Sequence, residues 1–310
     1  MRDYFIKTLS EMVNKNKKII LVTADLGFGV FDKFVKTYPK NFLNVGVAEQ
    51  NMIGVATGLA KKGFNVFVYS IGNFPTLRCL EQIRNDAVYH ESNVKIVNAG
   101  AGYSYGQLGF SHHATEDLSI MNAIPELKII SPYSKFETIK ATKYLGEAKG
   151  TFYFRLDKKR ANKKLEINKE IIEKFSFGKI SKILNGKDLA IFSYGGILND
   201  IIEICDILKS KKINPTLLSC HSLKPLDKNG IKKICRKFKK IFVFEENALI
   251  GGLGSEISRL CLENNINPQI FKTFGIKDKF IKEVGDRDHL LKISNLDVKY
   301  CSRKILNYFK

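Results

Sequence analysis

Short apolar runs alternate along this chain with longer stretches in which apolar positions recur every three or four residues. Ile19-Ile20-Leu21-Val22-Thr23, Val66-Phe67-Val68-Tyr69, Val94-Lys95-Ile96-Val97 and Lys128-Ile129-Ile130-Ser131 are of strand length and rich in β-branched residues, and they read as buried strands. Between them the helical period predicts amphipathic helices over Tyr4 to Asn14, Gln50 to Lys61, Leu80 to Tyr89 and Lys135 to Gly146. Such alternation predicts α/β architecture on a parallel sheet. From Leu156 to Lys187 large apolar residues thin out and Lys, Asn and Glu take over, which marks a linker. The pattern then restarts as a shorter α/β unit: strand Leu189 to Ser193, helix Asp200 to Lys209, strand Pro215 to Ser219, a helix after Pro225, and strand Ile241 to Phe244. The expectation is a first domain over 1–155, a linker over 156–187 and a smaller domain over 188–310, each with its own core.

Composition narrows the function classes. A formal charge of +20 invites a nucleic-acid reading, but the excess is mostly Lys spread over surface-type positions, denser from Lys158 to Lys174, with no aromatic residues interleaved. A solvated lysine-rich surface accounts for it, and no nucleic-acid partner is expected. Six cysteines lie far apart without a C-x-x-C pair, so neither a disulfide framework nor a zinc site is indicated, and no metal ligand is assigned in this chain. The start Met1-Arg2-Asp3-Tyr4-Phe5 lacks a basic region followed by an apolar one, and no run is long enough to span a bilayer. The expectation is a soluble cytoplasmic protein with no membrane partner.

Candidate chemistry concentrates at Glu49. In Asn44-Val45-Gly46-Val47-Ala48-Glu49-Gln50-Asn51 a β-branched stretch ends at a glycine and a carboxylate opens a small-residue helix. That carboxylate either complements the helix dipole or reaches a ring nitrogen of a deeply bound cofactor. Gly54 and Gly58 follow on one stripe of the helix, where alanine would be favoured by roughly 1 kcal/mol each, so something should pack against their backbone, within the chain or between subunits. Gly251-Gly252-Leu253-Gly254 opens a later helix without the dinucleotide fingerprint, and close helix packing is the favoured role. His112 and His113 end a glycine-rich loop running from Gly100 through Gly102, Gly106 and Gly109, as if laid against a ligand. His90, His221 and His289 stand apart from any such constellation.

Several stretches together resemble a known family. They are Ala24-Asp25-Leu26-Gly27, Val45 to Asn51, Phe74 through Arg78 to Asn85, Lys224-Pro225-Leu226-Asp227, Glu245-Glu246, Ile250 to Ser255 and Gly275 to Phe280. Collinear over nearly the whole chain, they resemble the C-terminal half of transketolase, in the form where that enzyme is split into two polypeptides. The resemblance implies a pyrimidine-binding domain of the thiamine-diphosphate fold followed by a transketolase C-terminal domain. It implies that Glu49 bonds the pyrimidine nitrogen of thiamine diphosphate, that Phe74 stacks on that ring, and that Asp25 lies near the cofactor. An aspartate after a strand also shapes a turn, and an aromatic at a strand end also fills a core.

The same resemblance implies substrate roles for Arg2, His112, His113 and Lys158, with His112 also catalytic. Here the sequence departs from the family pattern. Gly100 and Leu108 replace a histidine and an aspartate that touch the donor sugar, Lys158 replaces an arginine, Gly29 a serine and His113 a glutamine. Lysine meets phosphate as a point charge without the bidentate fork, and lost polar partners imply altered specificity. No Gly-Asp-Gly motif followed by Asn is present to hold diphosphate and Mg2+. The resemblance therefore implies an N-terminal transketolase subunit as partner, carrying the diphosphate domain and metal, in a pair of heterodimers active only when assembled. The implied activity is transfer of a two-carbon ketol unit from a ketose to an aldehyde, on non-standard sugars or sugar phosphates. Decarboxylation of a 2-oxoacid, as in deoxyxylulose-phosphate synthase or a dehydrogenase β subunit, is the enzymatic alternative; a non-catalytic subunit retaining the fold is the other.

Overall fold

The computed structural model describes residues 1–158 and 174–309. Two sheets organise it, each parallel except for one edge strand. The first has seven strands: β1 (Ile19–Thr23), β2 (Phe42–Asn44), β3 (Asn65–Ile71), β4 (Val94–Ala99), β5 (Lys128–Ile130), β6 (Phe152–Leu156) and β10 (Ser222–Lys224), in the order β10-β5-β6-β4-β3-β1-β2. The second has five: β7 (Ser181–Leu184), β8 (Leu189–Ser193), β9 (Pro215–Ser219), β11 (Lys240–Ala248) and β12 (Ile270–Ile276), in the order β12-β11-β8-β9-β7. Strand β1 is buried throughout, which is why it reads as an unbroken apolar run rather than an alternating one; β4 and β6 are equally buried although they carry Lys95, Asn98 and Arg155, and β6 is not among the strands expected from the sequence.

Helices cover both faces of the first sheet. Helix α1 (Arg2–Lys15) buries Phe5, Leu9 and Val13, a four-residue spacing that puts one apolar stripe on the sheet. The helix over Glu49–Lys61 buries Met52, Ile53 and Ala56. Gly54 and Gly58 have open space where a Cβ would stand, so nothing among the described residues packs on that stripe. The glycines before Ser255 do pack closely: a Cβ on Gly252 would lie 2.2 Å from Glu245 Oε2, and one on Gly254 would lie 2.3 Å from Thr273 Cγ2. Glu245 meets the start of that helix (Leu253–Glu263), accepting from the N–H groups of Leu253 at 2.7 Å and Gly254 at 3.0 Å.

Two features differ from the expected division of the chain. Strand β7 falls inside the span read as linker and pairs antiparallel with β9, while β10, from the second half, adds antiparallel to β5 of the first sheet. Residues 159–173 of the linker reading, with most of its lysine-dense stretch, lie outside the described residues. The halves do not keep wholly separate cores either. One apolar cluster runs from Val22, Ile53 and Ile96 through Tyr153 to Phe192, Val243 and Ile257. Exchange of a strand and a shared core fuse the two sheets, so loops from both can frame one site.

Candidate active site

The parallel strands of the first sheet end on one side, where the site loops emerge, as in open α/β sheets generally. At the end of β2, Asn44 Oδ1 accepts from Asp25 N at 2.9 Å and Gly46 N at 3.0 Å, and its Nδ2 donates to Asp25 Oδ1 at 3.1 Å. Gly46 then turns with φ +75°, and Glu49 begins the helix that follows with its side chain buried. Asp25, at φ 55°, is thus held in a turn against Asn44.

Arg78 joins Glu49 to Phe74. Its Nη1 donates to Glu49 Oε1 at 3.0 Å, and its guanidinium lies 4.1 Å from the Phe74 ring centroid. The His112 ring meets Phe74 edge-on with centroids 5.1 Å apart. Burial, and then the Arg78 charge, hold His112 below its ordinary pKa, which favours the neutral ring. Burial, and then His112, do the same for His113. His113 is almost fully buried, edge-on to Tyr103 at 5.1 Å, and its Nε2 has no hydrogen-bond partner among the described residues. Such an orphaned ring nitrogen is a place for a ligand hydroxyl or water. A cavity of about 510 Å³ opens here, lined by Phe74, Arg78, Tyr103 and His113 from the first half and by Lys279 and Phe280 from the second.

A buried ion network holds the loop behind this cavity. Arg155 Nε donates to Asp117 Oδ2 at 2.8 Å and its Nη2 to Asp117 Oδ1 at 3.1 Å, Ala114 O at 2.8 Å and Glu246 O at 3.0 Å. Glu246 in turn accepts from Tyr103 N at 2.8 Å and from Arg287 Nε at 2.9 Å. The histidine loop is therefore anchored to β6 on one side and to the second sheet on the other.

Arg2 and Lys158 lie elsewhere, around Tyr105. Arg2 faces the hydroxyls of Tyr69 and Tyr105, and Lys158 Nζ is 4.4 Å from the Tyr105 ring centroid. Gly29 is exposed at φ +71°, and Leu108 is exposed on the loop. Of the predicted residues, Phe74 and His113 line the cavity, Glu49 joins them through Arg78 and His112 through the Phe74 ring; Asp25, Arg2 and Lys158 are not part of its lining. Sequence reasoning gave no role to Arg78, Tyr105 or Arg155. Arg78 stands four residues after Phe74 among few arginines, a signal that was available; nothing local marks Arg155, the largest fully buried side chain. His221 is an interior histidine, with Nε2 3.1 Å from Ser176 O and Nδ1 3.2 Å from Glu137 Oε1.

Among the described residues no group of three or more His, Cys, Asp or Glu is placed to hold a metal ion, and no helix is long and apolar enough to cross a membrane. All six cysteines are free and buried.

Comparison with known proteins gives a consistent picture. Residues 1–163 match the family model for the transketolase pyrimidine-binding domain, and residues 178–299 match that for the transketolase C-terminal domain. The chain is 35% identical to a protein of Methanocaldococcus jannaschii named as a transketolase C-terminal section, over 100% of this chain and 96% of that one. It is 30% identical to one of the subunits of an apulose-4-phosphate transketolase of Phocaeicola vulgatus, over 100% of this chain and 97% of that one. Among solved structures it resembles a split-gene transketolase described as an inactive β4 tetramer, with TM-score 0.84 and 29% identity, covering 99% of this chain and 96% of that chain.

Proposed function

Because the chain belongs to the transketolase family and carries its pyrimidine-binding and C-terminal domains, we propose that it is the C-terminal subunit of a two-chain, thiamine-diphosphate-dependent transketolase. The enzyme would move a two-carbon ketol unit from a ketose donor to an aldehyde acceptor. Residues 1–155 serve as the pyrimidine domain and 188–310 as the C-terminal domain, joined through 156–187. The observation that carries this reading is the Glu49–Arg78–Phe74 cluster: a buried carboxylate at a helix start, beside an aromatic face, at the edge of a large cavity.

The residues fit the cofactor. Bound there, thiamine diphosphate supplies a carbon nucleophile that also serves as electron sink. Glu49 holds the pyrimidine ring nitrogen, Phe74 presents its face, and Asp25 shapes the turn beside that end of the site. His112, kept neutral, can accept or donate a proton at a sugar hydroxyl, and His113 Nε2 is free to take a second hydroxyl. Arg2 and Lys158 face the substrate's far end, where a phosphorylated ketose such as the one in the Phocaeicola relative's name would present its charge.

Diphosphate and Mg2+ fall to an N-terminal partner subunit, since this sequence has no motif for them. Assembly as a pair of heterodimers in the cytoplasm would put the site between unlike chains, against the open stripe of Gly54 and Gly58. Leu77, Phe110 and Phe280 line the cavity yet are half or more exposed in the single chain, at 50%, 65% and 76%. Such an apolar rim calls for a covering partner.

The test is a Glu49→Gln variant of the complex with its N-terminal subunit, assayed for ketose consumption with an aldehyde acceptor. Loss of turnover by about 100-fold or more is expected for removal of a proton-managing carboxylate. Full activity would sink the assignment. Carbon dioxide released from pyruvate would favour the 2-oxoacid chemistry instead, and failure of the complex to bind thiamine diphosphate would favour a non-catalytic subunit.

A further inference from the structure

Two rings of the histidine loop face each other just inside its neck. Gly102 and Ala114 close that neck as an antiparallel bridge, each N–H donating to the other's carbonyl at 2.9 Å. The next residue inward on each side carries a ring: Tyr103 and His113 meet edge-on, with centroids 5.1 Å apart and planes at 84°. No described residue bonds His113 Nε2, so packing against Tyr103 rather than a hydrogen bond at that nitrogen directs the ring. Tyr103, fully buried, is in turn held at both ends by the second half of the chain. Its hydroxyl lies 2.9 Å from Ser294 Oγ, and its N–H donates to Glu246 Oε1 at 2.8 Å. Glu246 occupies the space that Gly102 leaves open: a Cβ on Gly102, at φ +56°, would fall 2.3 Å from Oε1. Arg287, on the helix Arg287–Ile293, fixes the other carboxylate oxygen, with Nε and Nη2 at 2.9 and 2.7 Å from Glu246 Oε2. Its Nη2 also donates to Asp200 Oδ2 at 2.7 Å. The same helix presses on the middle of the loop, where a Cβ on Gly106 would lie 2.3 Å from Leu290 Cδ1. Burial pushes the Tyr103 hydroxyl up to about 12, against the Ser294 hydrogen bond, so it keeps its proton at neutral pH. Neither Ser294 nor Arg287 lines the cavity that Tyr103 and His113 share.

We propose that Tyr103 is the positioning residue for His113 and that the second half of the chain sets it. Ser294 fixes the far end of the Tyr103 ring, the Glu246–Arg287 pair fixes its backbone, and the ring holds His113 Nε2 toward the sugar hydroxyl it receives. A group that must meet its target within a fraction of an ångström needs its supporting neighbours locked as well. This inference rests on the ketol-transfer reading of the same site. Ser294, Glu246 and Arg287 act through Tyr103 and take no part in moving protons.

The test is a mutant cycle. Ser294→Ala and Tyr103→Phe break the same hydroxyl pair, and in complex with the N-terminal subunit each should lower kcat for the ketose donor about fivefold with KM within about twofold. The double variant should be no worse than either alone, and in a His113→Ala background Ser294→Ala should change kcat no further. Ser294→Thr, which keeps a hydroxyl, should recover most of the loss. Arg287→Met should lower kcat in the same His113-dependent way, with Arg287→Lys between. NMR titration of the full chain gives a readout independent of turnover. His113, held below its ordinary pKa by burial and then by His112, should titrate higher in Ser294→Ala as the ring loosens. An equal kcat loss with and without His113, or a His113 titration that Ser294→Ala leaves unmoved, would overturn the proposal. A complex that transfers no ketol unit, while the His113 titration still follows Ser294, would refute the transferase reading and leave the positioning contact standing.

Discussion

Replacing Arg155 by Met removes the cation that ties the histidine loop to both sheets, and its cost can be built from the contacts. The pair with Asp117 is buried on both sides, with side-chain exposures of 2% and 0%, and it is a two-bond fork at 2.8 and 3.1 Å. Removing one partner of such a pair strands a charge in low dielectric, at about 3–5 kcal/mol. Two carbonyls, Ala114 O and Glu246 O, lose a charged donor as well, adding roughly 1 kcal/mol each. Against a total stability of about 5–15 kcal/mol, the loss is large. Urea unfolding followed by far-UV circular dichroism and by tyrosine fluorescence, the chain having no tryptophan, reads it as a fall in midpoint. Arg155→Lys should lie between, since it keeps the charge without the fork. Arg155→Met/Asp117→Asn should recover part of the loss, because the stranded charge is gone. Arg259→Met, which breaks exposed pairs with Glu256 and Glu263, should leave the midpoint unchanged within error. A shift below about 1 kcal/mol for Arg155→Met would refute the claim that this fork holds the loop.

Two titrations test the electrostatics of the site and its support. Burial pushes the Glu245 carboxyl up to about 7 from 4.5, against the opposing N–H groups of Gly254 and Leu253 and the Tyr194 hydroxyl. Between those values the folded chain binds a proton that the unfolded chain has released, so stability should fall by about 3 kcal/mol as pH rises from 4.5 to 7. In Glu245→Gln that fall should shrink, and curves for the two proteins that run parallel would refute it. For His112, Arg78→Gln removes the second cause of its lowered pKa and should move its NMR titration upward; an unmoved midpoint would separate the two residues electrostatically.

How much of this the sequence carried depends on the range of the interaction. The strands Ile19–Thr23, Leu189–Ser193 and Pro215–Ser219 were legible to the residue, because both faces of a parallel strand are buried and turn residues bracket the run. Strand β7 was hidden in the linker reading: its Lys182 is exposed and only one neighbour, β9, pairs with it, so composition there looks like loop. Strand β10 could not be found locally at all, since three residues, Ser222-Leu223-Lys224, become a strand only when β5 is beside them. Glu49 and Phe74 were readable from motifs, whereas Arg78 was part of a matched stretch with no task attached. Only the distances of 3.0 Å to Glu49 and 4.1 Å to Phe74 give it one.

The substrate end shows the same limit more sharply. Reading position by position, Gly100 registers as a lost polar contact, and a lost contact predicts altered specificity. In the fold the space is filled by Tyr105, five residues later, whose ring lies where the missing side chain would be. The ring of a neighbour thus takes the volume a side chain at 100 would occupy, and it stands against Arg2 and Lys158. A side chain added at 100 alone therefore does not fit. The positive φ strains any residue but glycine, and the ring must leave before a Cβ fits, so the two positions are coupled and have to be changed together.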